Sequence, residues 1–227
     1  MSDINNLINQ VQQEAQREDF PLDIPVYKSA NLEPTKPVLY AGNLQSPLCF
    51  FGRDLGKDEV HARQPLIGAS GTVVRQGFYY SIHQQKAPSR EVLDTTVIER
   101  VLLTNTVPYK PPGNKAYLVK VKKRFRPFIE KLFVFHWQGN QVITLGTEAF
   151  KWFSPYAPKG DLDSFYRQKS SCFEKTISVN LSATDDLGMT HQRLITLLPL
   201  PHPSPLNQTY HAIFPEMLQK RLAQVEF

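Results

Sequence analysis

Leu48-Cys49-Phe50-Phe51-Gly52-Arg53-Asp54-Leu55-Gly56 is the stretch that decides the fold. Four apolar, β-type residues break at once into a polar turn flanked by glycines. Three further segments repeat the pattern. Val101–Thr104 leads into Asn105–Asn114, Val142–Leu145 into Gly146-Thr147, and Leu194–Leu198 into His202-Pro203-Ser204-Pro205-Leu206. Short apolar runs of this kind suit strands of a parallel sheet covered on both faces. In such a sheet the loops leaving the carboxyl ends of the strands meet in one crevice, where ligands bind. Asp54, Asn105 and His202, remote in sequence, are therefore expected to share a pocket. A carboxylate, an amide and an imidazole together make a reaction centre.

Between these strands the chain reads as helix. Ile4, Leu7, Ile8, Val11 and Ala15 give helical spacing over residues 3–17, and Pro21, Pro25, Pro34 and Pro37 then predict an extended arm. Residues 71–83 suit a helix opening at Ser70, and residues 91–99 a second one. Residues 117–135 suit a long helix kinked at Pro127, and Thr147–Phe153 a short one. Residues 154–172 read as a polar insertion. Asp185-Asp186-Leu187-Gly188 predicts a hairpin between Thr176–Leu181 and Arg193–Leu198, and a last helix spans Tyr210–Val225. The expected fold is α/β: one three-layer α/β/α domain over residues 41–227, with a central, mostly parallel four-stranded sheet, preceded by a helix and arm over residues 1–40.

Composition narrows the class. The 227 residues are 41% hydrophobic and 21% charged, which suits one α/β domain and argues against a disordered chain. A net charge of +5 favours an anionic partner such as nucleic acid, though it also suits an ordinary soluble protein. Cys49 and Cys172 make neither a disulfide framework nor a four-thiolate site, and His83, His136, His191 and His211 lack ligand spacing, so no metal is expected. No secretory signal and no apolar run of about 18 residues is visible, so a cytoplasmic, monomeric protein without a membrane segment is expected. The Gly-x-Gly-x-x-Gly turn and a Walker-type lysine are missing, which argues against a nucleotide-binding Rossmann enzyme.

Each candidate residue also has a plainer reading. Asp54 suits either a site carboxylate or an Asx turn. The loop Arg63–Gly71 ends at a helix N-terminus that holds a phosphate or simply caps. Asn105 opens a stiff loop with Pro108, Pro111 and Pro112. Its amide pairs with a ligand edge offering an acceptor beside a donor, as uracil O4 and N3–H do, or else satisfies strand-end backbone. His202 is bracketed by prolines. Lys120, Lys122, Lys123, Arg124 and Arg126 form a solvated helix face or contact phosphates.

Taken together and in order, these motifs resemble the uracil-DNA glycosylase superfamily from about Leu48 to Leu206, most closely its bacterial iron–sulfur branch. Gly52–Gly56 looks like the water-activating motif, Arg63–Gly71 like the Gly-Arg-Pro-Phe-Val-Gly-x-x-Gly loop, and Asn105–Asn114 like the Asn-x-x-x-Cys-x-Pro-Pro-Gly-Asn stretch. Leu145-Gly146 through Ala149 resembles Leu-Gly-x-x-Ala, and His202–Leu206 the His-Pro-Ser-Pro-Leu motif. The resemblance implies a monofunctional glycosylase acting on DNA that contains uracil or another deaminated base. It implies that Asp54 orients water and stabilises the sugar cation, and that His202 stabilises the departing base. Gly52, Leu55, Leu66 and Asn105 would bind the base. Arg53, Ser70, Lys110 and Ser204 would contact DNA, and Leu206 would fill the hole left by a flipped nucleotide. The chain departs from the pattern as well. Arg53 stands where the iron–sulfur branch has Glu, Leu66 where an aromatic stacks on uracil, and Gly56 where a Tyr excludes thymine. Two cluster cysteines read as Tyr109 and Phe125, which implies packing in place of the cluster and no cofactor. A binder without catalysis, or a glycosylase for hypoxanthine or xanthine, are the alternatives.

Overall fold

The computed structural model describes residues 3–113 and 115–227, with residues 169 and 170 by their backbone alone. Asn114, the last residue of the Asn105 motif, lies outside the described residues. Asp3 accepts the Asn5 amide and opens α1 (Ile4–Arg17), which buries Leu7, Val11 and Ala15. The proline-rich stretch that follows is not wholly extended, as expected from its prolines. It contains α2 (Ile24–Ser29), with Pro25 in the first turn, where a missing N–H needs no partner. Then come β1 (Tyr40–Gly42), β2 (Leu48–Gly52), α3 (Lys57–Ala62), α4 (Ala69–His83), α5 (Arg90–Arg100) and β3 (Leu102–Asn105). The second half holds α6 (Val119–Lys131), β4 (Gln141–Leu145), α7 (Thr147–Lys151), α8 (Asp161–Tyr166), β5 (Ile177–Thr184), β6 (Thr190–Leu200) and α9 (Phe214–Leu222).

The sheet has six strands rather than four, in the order β1-β3-β2-β4-β6-β5. The four expected parallel strands are its interior. The hairpin arm β5 pairs antiparallel with β6 and closes one edge. Three-residue β1, too short among its prolines to show a period, closes the other against β3. Alternation along β2 splits the core. Cys49 and Phe51 pack beneath α1 and α6 with Val142 and Leu197, while Leu48 and Phe50 pack beneath α4, α5 and α9 with Ile143 and Leu198. Helices thus cover both faces, as strands buried on each side require.

Several boundaries differ from expectation. α4 is capped by Gly68, which places Ser70 inside the first turn rather than at the cap. Pro127 sits within α6 without ending it, and the ladder widens afterwards into a π turn, Leu132–His136, where the Trp137 N–H reaches Leu132 O at 2.9 Å. The 154–172 stretch is built of short helical turns that bury Leu162 and Cys172.

The N-terminal segment is lashed to the loop after β3. Val38 N–H donates to Pro108 O (3.0 Å) and Asp23 N–H to Lys110 O (3.1 Å). The Lys110 N–H donates to the buried Tyr27 hydroxyl at 3.0 Å, and burial raises the Tyr27 pKa to about 12. Lys110 Nζ donates to Asp23 Oδ2 (2.8 Å), Pro111 O (3.0 Å) and Gly113 O (2.6 Å). Lys110 therefore has no donor left for a phosphate, which corrects the expected DNA contact. An ammonium this deeply buried is stabilised only with its counter-charge in place. Asp23→Ala should destabilise the fold by about 3 kcal/mol, read as a lowered urea midpoint; an unchanged midpoint would show that the pair does not hold the loop.

Candidate active site

Register assembles the site. Gly52 of β2 pairs with Asn105 of β3, and Leu145 of β4 with Leu200 of β6, so four strand ends deliver their loops to one rim. Thr106 ties the first two loops together. Its N–H is shared between Gly52 O (3.1 Å) and Arg53 O (2.9 Å), and its hydroxyl also donates to Arg53 O. On the other side the Gly146 N–H donates to Leu200 O at 2.8 Å. Gly146 has φ +92°, and a Cβ there would lie 3.0 Å from His202 Cβ, so glycine gives the imidazole its place. A Cβ on Gly52 would meet Asn105 Nδ2 at 3.0 Å and Leu66 Cδ2 at 3.2 Å, so a bare backbone lets the amide and the leucine close on the same space.

That space is a cavity of about 680 Å³. Asp54, Asn105 and His202 all line it, as do Gly52, Arg53, Leu55, Leu66, Ser70, Ser204 and Leu206. Of the residues that the resemblance assigns to catalysis, base binding or DNA contact, Lys110 alone does not. Leu206 stands out at 91% exposure on the rim, and its N–H donates to Ser204 Oγ at 3.2 Å.

Asn105 and Asp54 do not follow their plainer readings. Asn105 is buried, yet its Oδ1 has no hydrogen-bond partner among the described residues, so that oxygen does not serve the strand end. Asp54 forms no Asx turn. Thr106 Oγ1 donates a long hydrogen bond to Oδ1 at 3.4 Å, and Arg53 Nε forms an ion pair with Oδ2 at 3.1 Å, while Oδ2 has no hydrogen-bond partner among the described residues. A buried polar atom without a hydrogen bond costs free energy that a ligand recovers. Burial raises the Asp54 pKa above the usual carboxylate value, against the lowering pull of Arg53 and Lys122. Burial, and then the Arg53 charge, lowers the His202 pKa below the usual imidazole value. The Ser204 N–H donates to His202 Nδ1 at 3.2 Å, so the neutral ring carries its proton on Nε2 as a donor.

Two scaffold residues escaped the sequence reading. Glu59 Oε2 accepts the Gly56 N–H (3.0 Å), while Oε1 accepts the Ile67 (3.1 Å) and Gly68 (2.8 Å) N–H groups, which clamps the Asp54 loop to the Leu66 loop. The signal was present as a Glu three residues beyond Gly56, the spacing of a capping box. Fully buried Arg75 donates from Nε to Leu66 O (2.7 Å) and from Nη2 to Pro65 O (3.2 Å). It holds Leu66 at φ +55°, a conformation that costs a non-glycine residue about 1–3 kcal/mol.

The residues at the cluster positions do not fit an iron–sulfur centre. Tyr109 and Phe125 are in ring contact at 5.1 Å, and Phe20 packs on both, at 5.2 and 5.0 Å. The Tyr109 hydroxyl donates to Thr35 O at 2.7 Å. No group of three or more His, Cys, Asp or Glu among the described residues is placed to hold a metal. The basic run on α6 is largely spent within the chain. Lys120 pairs with Glu18, Lys122 with Glu148, Arg124 with Glu14, and Arg126 donates to Trp152 O.

Removing the Glu59 carboxylate orphans three N–H groups. In Glu59→Ala the Gly56, Ile67 and Gly68 amides should exchange with solvent at least about tenfold faster; unaltered protection would refute the clamp.

No curated protein matches the chain. A protein-family model does, over residues 39–226, and its description is the uracil DNA glycosylase superfamily. That span takes in the whole sheet from β1 to β6 and every residue of the pocket. The chain belongs to the uracil DNA glycosylase superfamily.

Proposed function

We propose that this protein hydrolyses the N-glycosidic bond of uracil, or of a closely related deaminated base, in DNA as a step of base excision repair. Membership of a superfamily of DNA glycosylases supports the reaction class. One observation carries the assignment to this pocket. Asp54 and Asn105, each with a buried side-chain oxygen that no hydrogen-bond donor serves among the described residues, line the same cavity as His202.

A target base is out of reach inside a duplex, so it is extruded into the pocket, with Leu206 taking its place in the stack. The Asn105 amide presents an acceptor and a donor to uracil N3–H and O4. The C1′–N1 bond then breaks with its electron pair going to the base, which gives an oxocarbenium-like sugar and a uracil anion. His202 donates a hydrogen bond from Nε2 to uracil O2, where that charge gathers, without giving up its proton. Ionised Asp54 stabilises the sugar cation and orients the water that adds to C1′, and it takes up the water's proton. Ser204 and Ser70 contact the flanking phosphates, and the free N–H groups at the start of α4 add to that field. No step passes through a metal.

A wider base range has its own support. Gly56 lines the pocket, and a Cβ there would meet Glu59 Oε2 at 2.5 Å, so the clamp bars a side chain from the place where a tyrosine would exclude a 5-methyl group. Leu66 adds a smaller apolar contact than an aromatic ring would. Thymine in a mismatch, hypoxanthine and xanthine are therefore the secondary substrates to examine beside uracil.

The direct test is release of uracil from labelled single- and double-stranded DNA. Wild type should release it, and Asp54→Ala should be slower by about 100-fold or more. Equal rates, or no release by wild type, would refute the assignment. The pH profile checks the electrostatics. Activity needs Asp54 ionised and His202 neutral, so it falls as pH drops through their pKa values. Burial raises the Asp54 pKa, which puts the acid limb above the usual carboxylate value of 3.8. Arg53 lowers both pKa values, so Arg53→Gln should move that limb to higher pH; a limb that stays put or moves down would contradict the charge arrangement.

A further inference from the structure

A second cavity, of about 410 Å³, adjoins the first, and His202 and Asn207 line both. Its far walls come from segments that the proposed reaction does not use. Tyr166 and Phe173 belong to the region of the 154–172 insertion, and Tyr210 lies just beyond the Leu206 rim. Tyr166 and Tyr210 each stand nearly perpendicular to Phe173, with ring centroids 5.9 and 5.3 Å away and interplanar angles of 83°. The polar groups at its edge are neutral: Thr147, whose hydroxyl donates to the Tyr166 oxygen at 2.9 Å, and Asn207, whose amide donates to His202 O at 3.0 Å. Among the described residues, no Lys, Arg, Asp or Glu lines it. Aromatic walls and hydroxyl and amide edges, with no charged side chain among the described lining residues, suit a neutral heteroaromatic ring rather than a phosphate or an acidic peptide.

We infer that this cavity receives the nucleobase adjacent to the target base, and that the substrate it serves is single-stranded DNA. The inference rests on the glycosylase reading. With uracil on one side of the imidazole, the neighbouring nucleotide is brought to the other side by its own backbone, and the intervening phosphate passes the Ser204 hydroxyl. In a duplex that neighbour stays paired and stacked, so entering the cavity would take a second extrusion; in a single strand it is free to turn in. Stacking of a base on aromatic side chains is sequence-tolerant, because every base offers a π face.

The test uses the full chain and single-stranded oligonucleotides with one central uracil. Each flanking base is replaced in turn by a tetrahydrofuran residue, which keeps every phosphate. Replacement on one side should lower kcat/KM by about tenfold or more, mainly through KM. Tyr210→Ala should cause the same loss on the intact strand and no further loss on the strand lacking that base. If no flanking replacement matters, or if Tyr210→Ala slows both strands equally, the inference is wrong. The wild-type series needs no variant to fold. Should wild type release no uracil, the excision reading fails by itself. Fluorescence of 2-aminopurine beside the uracil then still decides the second cavity: a change on binding that Tyr210→Ala abolishes supports it, and an unchanged signal overturns it.

Discussion

The parallel register of β2 between β3 and β4 is the constraint on which the site depends. It sets Gly52 level with Asn105, and through β4 and β6 it sets Leu145 level with Leu200. Each strand then needs only one or two more residues to place a functional group on the rim. Buried backbone hydrogen bonds enforce that alignment, because slipping the register by one residue would turn Phe50 and Phe51 to the wrong faces and orphan buried N–H and C=O groups. The shared Thr106 N–H extends the same ladder past the end of the sheet, so the turn that carries Asp54 is held almost as firmly as a strand.

Around this frame the chain uses buried and half-buried charges to hold loops rather than ligands. Glu59 clamps two loops through three N–H groups, Arg75 fixes a strained leucine through backbone carbonyls, and Lys110 is neutralised by Asp23 beneath the Asn105 loop. The N-terminal segment contributes that aspartate as well as the aromatic and backbone contacts around Tyr109. Where the resemblance would have thiolates and iron hold the loop, edge-on and tilted rings and the Tyr27 and Tyr109 hydroxyls hold it here. Fixed loops of this kind serve a site that stabilises charge, since groups already in place need not reorganise when charge develops.

Much of this was legible in the sequence, for physical reasons. The interior strands showed as short apolar runs because both their faces are covered, and the loops after them carried the unusual residues because loops at strand ends face the crevice. The gathering of Asp54, Asn105 and His202 at one rim followed from topology alone. The edge strand β1 did not show, because its three residues carry no period. Nor did α2, because Pro25 suits a first turn as well as an extended arm. Lys110 misled because a lysine in a proline-rich loop looks exposed, and only the three-dimensional placement of Asp23 reveals it as buried. Arg75 acts through backbone carbonyls, and such a partner leaves little trace in side-chain patterning, whereas Glu59 leaves the capping-box spacing from Gly56.

The central claim is that one nucleobase is held jointly by the Asn105 amide and a neutral His202 imidazole. Side-chain 15N NMR of the protein bound to a single-stranded oligonucleotide carrying 2′-β-fluoro-deoxyuridine, which resists hydrolysis, tests it most directly. The Asn105 Nδ2 and His202 Nε2 signals should shift together along one binding curve, with His202 protonated on Nε2 alone. A shift of only one of them, or a His202 protonated on both nitrogens in the complex, would contradict it.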